Sequence, residues 1–172
     1  MIQPLSFRLR QAHEIPPGQA VVRPVDGSVG MKVQQIAKDF VRHYFLPLEP
    51  MAAEGLKLVY LDPEDELADC GGPVRLSLGK GRAPGPGERG AAFRNARATF
   101  LAARQADREY TMSEAQRFYK SELFIDLTSR EVLSRQDRNV AEIFPDWKVD
   151  GMAGANGIVP LVEIRAAFAG AR

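Results

Sequence analysis

The segment LGKGRAPGPGERG, Leu78 to Gly90, gathers five glycines, two prolines and the cations Lys80, Arg82 and Arg89. Backbone N–H groups and cations in such a loop collect phosphate when a helix N-terminus follows, where the macrodipole also favours an anion. The next residues, 91–108, are rich in Ala, Leu and Arg with no breaker and predict that helix. On a helical wheel Arg94, Arg97, Arg104 and Arg108 share about 80° of arc, and Phe93 and Phe100 run along one border. Aligned guanidinium groups neutralise phosphates, and flanking rings stack on unpaired bases. The same residues fit a plainer reading: the phenylalanines enter the core and the arginines rim them, stems on apolar surface and heads in water.

A second cluster is the run DPEDELAD, with Asp62, Glu64, Asp65, Glu66 and Asp69, followed directly by Cys70. Carboxylates so dense bind a hard cation or act as an acid/base pair, yet the EF-hand spacing, with its central glycine and terminal Glu, is missing. A solvated acidic turn is the simpler reading. Cys70 is the one cysteine, and the histidines are His13 and His43; a thiolate nucleophile needs one of those rings beside the sulfur. No paired spacing suggests a metal site, and no cofactor is implied. Gly79-Lys80-Gly81 lacks the hydroxyl residue of a phosphate-binding loop. GMAGANG, at 151–157, lacks the downstream acid of a dinucleotide fingerprint and reads as a turn.

The net charge of +1 hides a separation. Between Glu49 and Asp69 stand seven acids, Glu54 among them, against Lys57 alone; between Arg75 and Arg108 stand eight bases against Glu88 and Asp107. A near-neutral total argues against a dedicated nucleic-acid binder. One cysteine implies no internal disulfide and a reducing compartment. The first residues lack a secretory pattern and no apolar run approaches the roughly 20 residues of a membrane span, so a cytoplasmic protein without membrane contact is expected. The Ala, Arg, Gly and Pro content suits a bacterial or phage source.

The elements that must position these groups follow from periodicity. Leu5, Phe7 and Leu9 alternate with polar residues as in a strand, and QAVVRP reads as a short edge strand stopped by Pro24. Val33, Ile36, Ala37, Phe40, Val41, Tyr44 and Phe45 recur at helical spacing up to Pro47 and predict a helix. LKLVYL and PVRLSL predict strands. Thr111 and Glu114 form a capping box before a helix, SEAQRFYKS. LFIDL and VLSR read as two strands about a tight turn, LFIDL fitting the end of the preceding helix as well since periodicity alone does not decide; RNVAEIF reads as a helical turn, and PLVEIRAAFAG as a helix with Pro160 at its start and Leu161, Ile164 and Phe168 on one face.

The sum is one α+β domain over residues 1–172, a mainly antiparallel sheet with helices packed on one face, and an exposed Gly/Pro loop at 79–90. The functional expectation is a non-enzymatic interaction or assembly subunit, a protein partner or a second copy being met by the charge-segregated surface. Its binding residues are Lys80, Arg82, Arg89, Arg94, Arg97, Arg104, Arg108, Phe93 and Phe100. The alternatives are a phosphate or single-stranded nucleic-acid binder using the arginine stripe, and a small enzyme built on Cys70 and the acidic turn.

Overall fold

A computed structural model of the chain describes residues 5–49, 55–105, 122–134 and 139–171. Among them are thirteen strands and one α-helix, which overturns the α+β expectation of several helices on an antiparallel sheet. The strands join into one large mixed sheet. Its centre is the hairpin of β3 (Val29–Ile36) and β4 (Val41–Glu49), which occupies the segment expected to be a helix. Val29, Val33, Ile36 and Val41 are β-branched and suit a pleated surface. β3 is buried on both faces from Val29 to Val33, so its apolar residues do not alternate along the sequence.

From β4 the sheet continues to β5 (Lys57–Leu61), crosses to β8 (Thr99–Gln105) in parallel, and passes on to β9 (Glu122–Asp126) and β10 (Val132–Leu133). There it closes. A parallel bridge between Gln34 and Glu131 brings the β10 edge back to β3, completing a six-stranded ring. Met31, Val33, Tyr44, Leu46, Leu58, Leu101, Ala103, Leu123, Ile125 and Val132 belong to the one cluster that fills it. Arg130 secures the seam. Its backbone is left-handed, with φ of 61°, and its side chain lies across Gly18, donating from Nη1 to Met31 Sδ (3.1 Å) and from Nη2 to the Val74 carbonyl (3.3 Å).

On the other side of β3 lie β2 (Gln19–Val22) and the long β6 (Glu66–Ser77). Paired on both flanks, β2 is interior rather than the edge strand its sequence suggested. β6 reaches back through Glu66–Cys70, so half of the expected acidic turn is strand. β1 (Arg8–Gln11) and β12 (Lys148–Gly154) pair with successive parts of β6, and β13 (Gly157–Val159) completes a hairpin with β12. The helix α1 (Leu161–Ala171) forms where expected and buries Leu161, Ile164 and Phe168. At Gly30, which pairs with Pro47 beside a bulge, a Cβ would strike the Leu46 carbonyl and the Phe45 ring, so only glycine fits.

The cationic helix expected at 91–108 is absent over its described part. β7 (Ala92–Arg94) and β8 form a hairpin instead, turned by Asn95, whose Oδ1 accepts from the N–H groups of Arg97 (2.8 Å) and Ala98 (3.1 Å). β11 (Glu142–Ile143) replaces the expected helical turn and pairs with β7. The expected helix SEAQRFYKS lies outside the described residues.

Candidate functional site

The Gly/Pro loop is tied down. Arg82 exchanges both backbone hydrogen bonds with Ile143, at 3.0 and 2.9 Å, and its guanidinium meets Glu88 through Nη1 (2.7 Å) and Nη2 (2.9 Å). Glu88 also accepts from the Gly85 N–H at 2.9 Å. The loop holds its own carboxylate against its own cation, and Lys80 stands exposed beside it.

Without a helix there is no arginine stripe. Arg94, on β7, pairs with Glu142 at 3.3 Å. Arg97 sits in the β7–β8 turn, while Arg104 lies near the far end of β8, on the rung opposite Glu122. Arg108 lies outside the described residues. Arg89 lodges between the rings of Phe93 and Phe124, 5.4 and 5.5 Å from their centroids, and donates from Nη2 to both Glu122 oxygens at 2.6 Å. Phe93 and Phe100 face each other across the hairpin and are buried with Ile143, so neither ring offers a stacking surface. Of the nine residues expected to share one binding face, the eight that are described are dispersed or engaged inside the fold.

The second cluster divides. Asp69 is buried and structural, accepting from Arg10 Nη1, Gln19 Nε2 and the Gly71 N–H, each at 2.9 Å. Cys70 is buried in the main core, and burial, with the neighbouring Asp69 carboxylate, pushes its thiol up to about 12. A thiol so protonated is not a nucleophile near neutral pH. Asp62, Glu64, Asp65 and Glu66 are exposed and make no ion pair among the described residues. No group of three or more His, Cys, Asp or Glu there is arranged to hold a metal ion.

What adjoins that turn carried no signal in the sequence. Leu61, the last residue of β5, pairs with His43, two residues from Val41 at the free end of the β3–β4 hairpin, and Asp62 follows it directly. On the hairpin's last rung Ile36 faces Val41, and they are 60% and 41% exposed; Phe40, next to them, is 51% exposed with the Arg42 guanidinium 5.0 Å from its ring centroid. Three of the large apolar side chains left in water thus fall within six residues, next to a turn whose carboxylates form no ion pair among the described residues. Isolated exposed apolar residues are ordinary, but a contiguous group marks a contact surface.

Beneath this end lie two buried bases. Lys32 is fully buried, and Nζ donates to the Ile15 carbonyl at 3.0 Å. Burial lowers its ammonium to about 8. His43 is 7% exposed, and its Nδ1 is buried without a hydrogen-bond partner among the described residues. Burial, then the charges of Lys32 and His13, depresses its ring to about 4.

Comparison with protein-family models, with curated proteins and with solved structures finds no match. Among the described residues no helix is long and apolar enough to cross a membrane.

Proposed function

We propose that the protein is a non-enzymatic interaction or assembly subunit whose docking surface is the free end of the β3–β4 hairpin with the adjoining acidic turn. The observation that carries this reading is that Ile36, Phe40 and Val41 are exposed together at one hairpin end, whereas the other exposed large apolar residues described, Leu9, Val25, Ile158 and Val162, lie on other segments. Apolar side chains supply affinity when they leave water, and the carboxylates of Asp62, Glu64, Asp65 and Glu66 set approach and register. The surface they complement is a protein recess bordered by lysine or arginine. Charge segregation survives in this reading on its acidic side. The arginine stripe, which depended on a helix at 91–108, contributes nothing to it, and the buried thiol of Cys70 gives an enzyme no nucleophile.

A photo-crosslinking residue in place of Phe40, with Arg97 as the control position, tests the proposal in the cells that make the protein. Discrete adducts from position 40, lost when Val41→Lys is added, are expected. An adduct of twice the chain mass would identify the partner as a second copy. Equal labelling from the two positions would remove the proposed surface.

A further inference from the structure

The segment Gln11–Gly18 crosses the outer face of the sheet as a strap. Ala12 and Ile15 are buried against Val21, Phe45, Leu61 and Leu67, a cluster separate from the barrel interior. The strap is tied at both ends by main-chain bonds. The Ala12 N–H donates to the Asp65 carbonyl (2.8 Å) and that of His13 to Pro63 (3.1 Å); at the other end the Gly18 N–H donates to Lys32 (2.7 Å) and its carbonyl accepts from Val74 (2.8 Å). Its middle is held by Lys32 Nζ on the Ile15 carbonyl. An ammonium has three donors, and among the described residues this one finds a single acceptor in a site closed to water.

A second positive charge next to this ammonium would oppose the arrangement. His43 lies on the same face of β4, and the charges acting on it are Lys32 from β3 and His13 from the strap, both of which oppose its protonation. The adjoining rungs add Gln34 and Leu61, which carry no charge. Glu14, Asp62 and Asp65 are exposed at the rim, and Arg10 is engaged with Asp69 and the Glu14 carbonyl. Among the described residues, the charges acting on the His43 ring are both positive, so none there stabilises a second positive charge.

We propose that the strap is an acid-released latch: a proton on His43, beside the buried Lys32, lifts Gln11–Gly18 from the sheet and bares Val21, Phe45, Leu61 and Leu67. The group's affinity for a proton is lower in the closed state than in water, so the closed state loses stability as the pH falls from about 6.5 towards 4 and is unaffected above that window. If opening returns the ring to water, the opening equilibrium rises on the order of 50- to 100-fold between pH 7.5 and 4.5.

Amide hydrogen exchange, corrected for the intrinsic effect of pH, reads this at Ile15 and Gly18. Protection there should fall by that factor at pH 4.5, through an opening nearly insensitive to low urea, while β8 amides exchange only with urea-sensitive global unfolding. In His43→Phe the loss should disappear, because the rim carboxylates remain and the buried base does not. Titration of the His43 ring by NMR in the wild-type chain gives a second readout that needs no variant. A midpoint near 6.5, unchanged strap protection in acid, or an acid loss that persists in His43→Phe would each overturn the latch.

Discussion

Replacing Lys32 with Met removes the ammonium and keeps most of the stem's volume, and the structure fixes both the sign of the outcome and the pH at which it reverses. Lys32 is fully buried, with its proton affinity lowered from 10.5 to about 8. The unfolded chain therefore binds more protons between those values, and the wild-type protein gains stability as the pH rises through that window. The penalty for the buried charge at pH 7 is about 3 kcal/mol. Against it stands the Ile15 carbonyl, which loses its donor in the variant at every pH, at a cost of about 1 kcal/mol. Lys32→Met should thus be more stable than the wild type by about 2 kcal/mol at pH 7 and less stable above about pH 10. Urea unfolding followed by the fluorescence of Trp147, the one tryptophan, at pH 7, 8.5 and 10.5 gives the two curves. Parallel curves across that range would refute the reasoning, because they would mean that Lys32 titrates alike in the folded and unfolded chains.

Phe93→Ala should cost about 3–5 kcal/mol by urea denaturation, since the ring is buried against Phe100 and Phe124; Arg97→Ala, in the exposed turn, should stay within about 0.5 kcal/mol. Equal effects would contradict the hairpin placement of these residues. Gly30→Ala should destabilise by about 1–3 kcal/mol or more, because the Leu46 carbonyl and Phe45 ring occupy the space of a Cβ, and an unchanged melting temperature would count against that approach. The Cys70 thiol should react with a disulfide reagent at pH 8 roughly a thousandfold more slowly than an exposed cysteine, and promptly once urea unfolds the chain. Labelling of the native protein within minutes would show that the sulfur is accessible.

The parts of the fold legible in sequence were those whose burial differs between faces. β5 and α1 each have one wet side, and their periodicity survives in the chain; for β9 the periodicity fitted a helix end as well as a strand. The β3–β4 hairpin has little of that contrast. Its strands are covered inside by the barrel core and outside by the strap, and they reverse at Ala37–Phe40 without glycine or proline, closed by the bond from the Ala37 N–H to the Phe40 carbonyl. Apolar residues from two antiparallel strands then fall, read in line, at intervals of three and four. The β7–β8 region is ambiguous for a related reason. Phe93 and Phe100 are seven residues apart, a separation that stacks two turns of a helix and equally places two residues opposite one another across a hairpin. Asn95 is the local discriminator, because its short amide bonds the backbone two and three residues on and initiates a turn.

Charge was legible only where it stayed local. The acidic turn keeps Asp62, Glu64, Asp65 and Glu66 exposed because consecutive residues in a tight turn cannot all find partners, while Asp69 and Glu49 of the same block are paired with Arg10 and Arg165. The basic block looked unbalanced because its counterions are distant in sequence: Glu122 lies 33 residues from Arg89 and Glu142 lies 48 from Arg94, and strand pairing brings them together. Linear charge density thus overstates any cationic surface that a sheet folds onto its own acids. Lys32 errs in the opposite direction. Position 32 looks like one polar residue among Gln34, Gln35 and Lys38, yet the strap buries it, and a lysine held there against its desolvation cost is the least expected residue on this face. A methionine would fill the same space at lower cost near neutral pH, so the retained ammonium is the feature of this sheet that packing alone does not explain, and its coupling to His43 is what the latch experiment isolates.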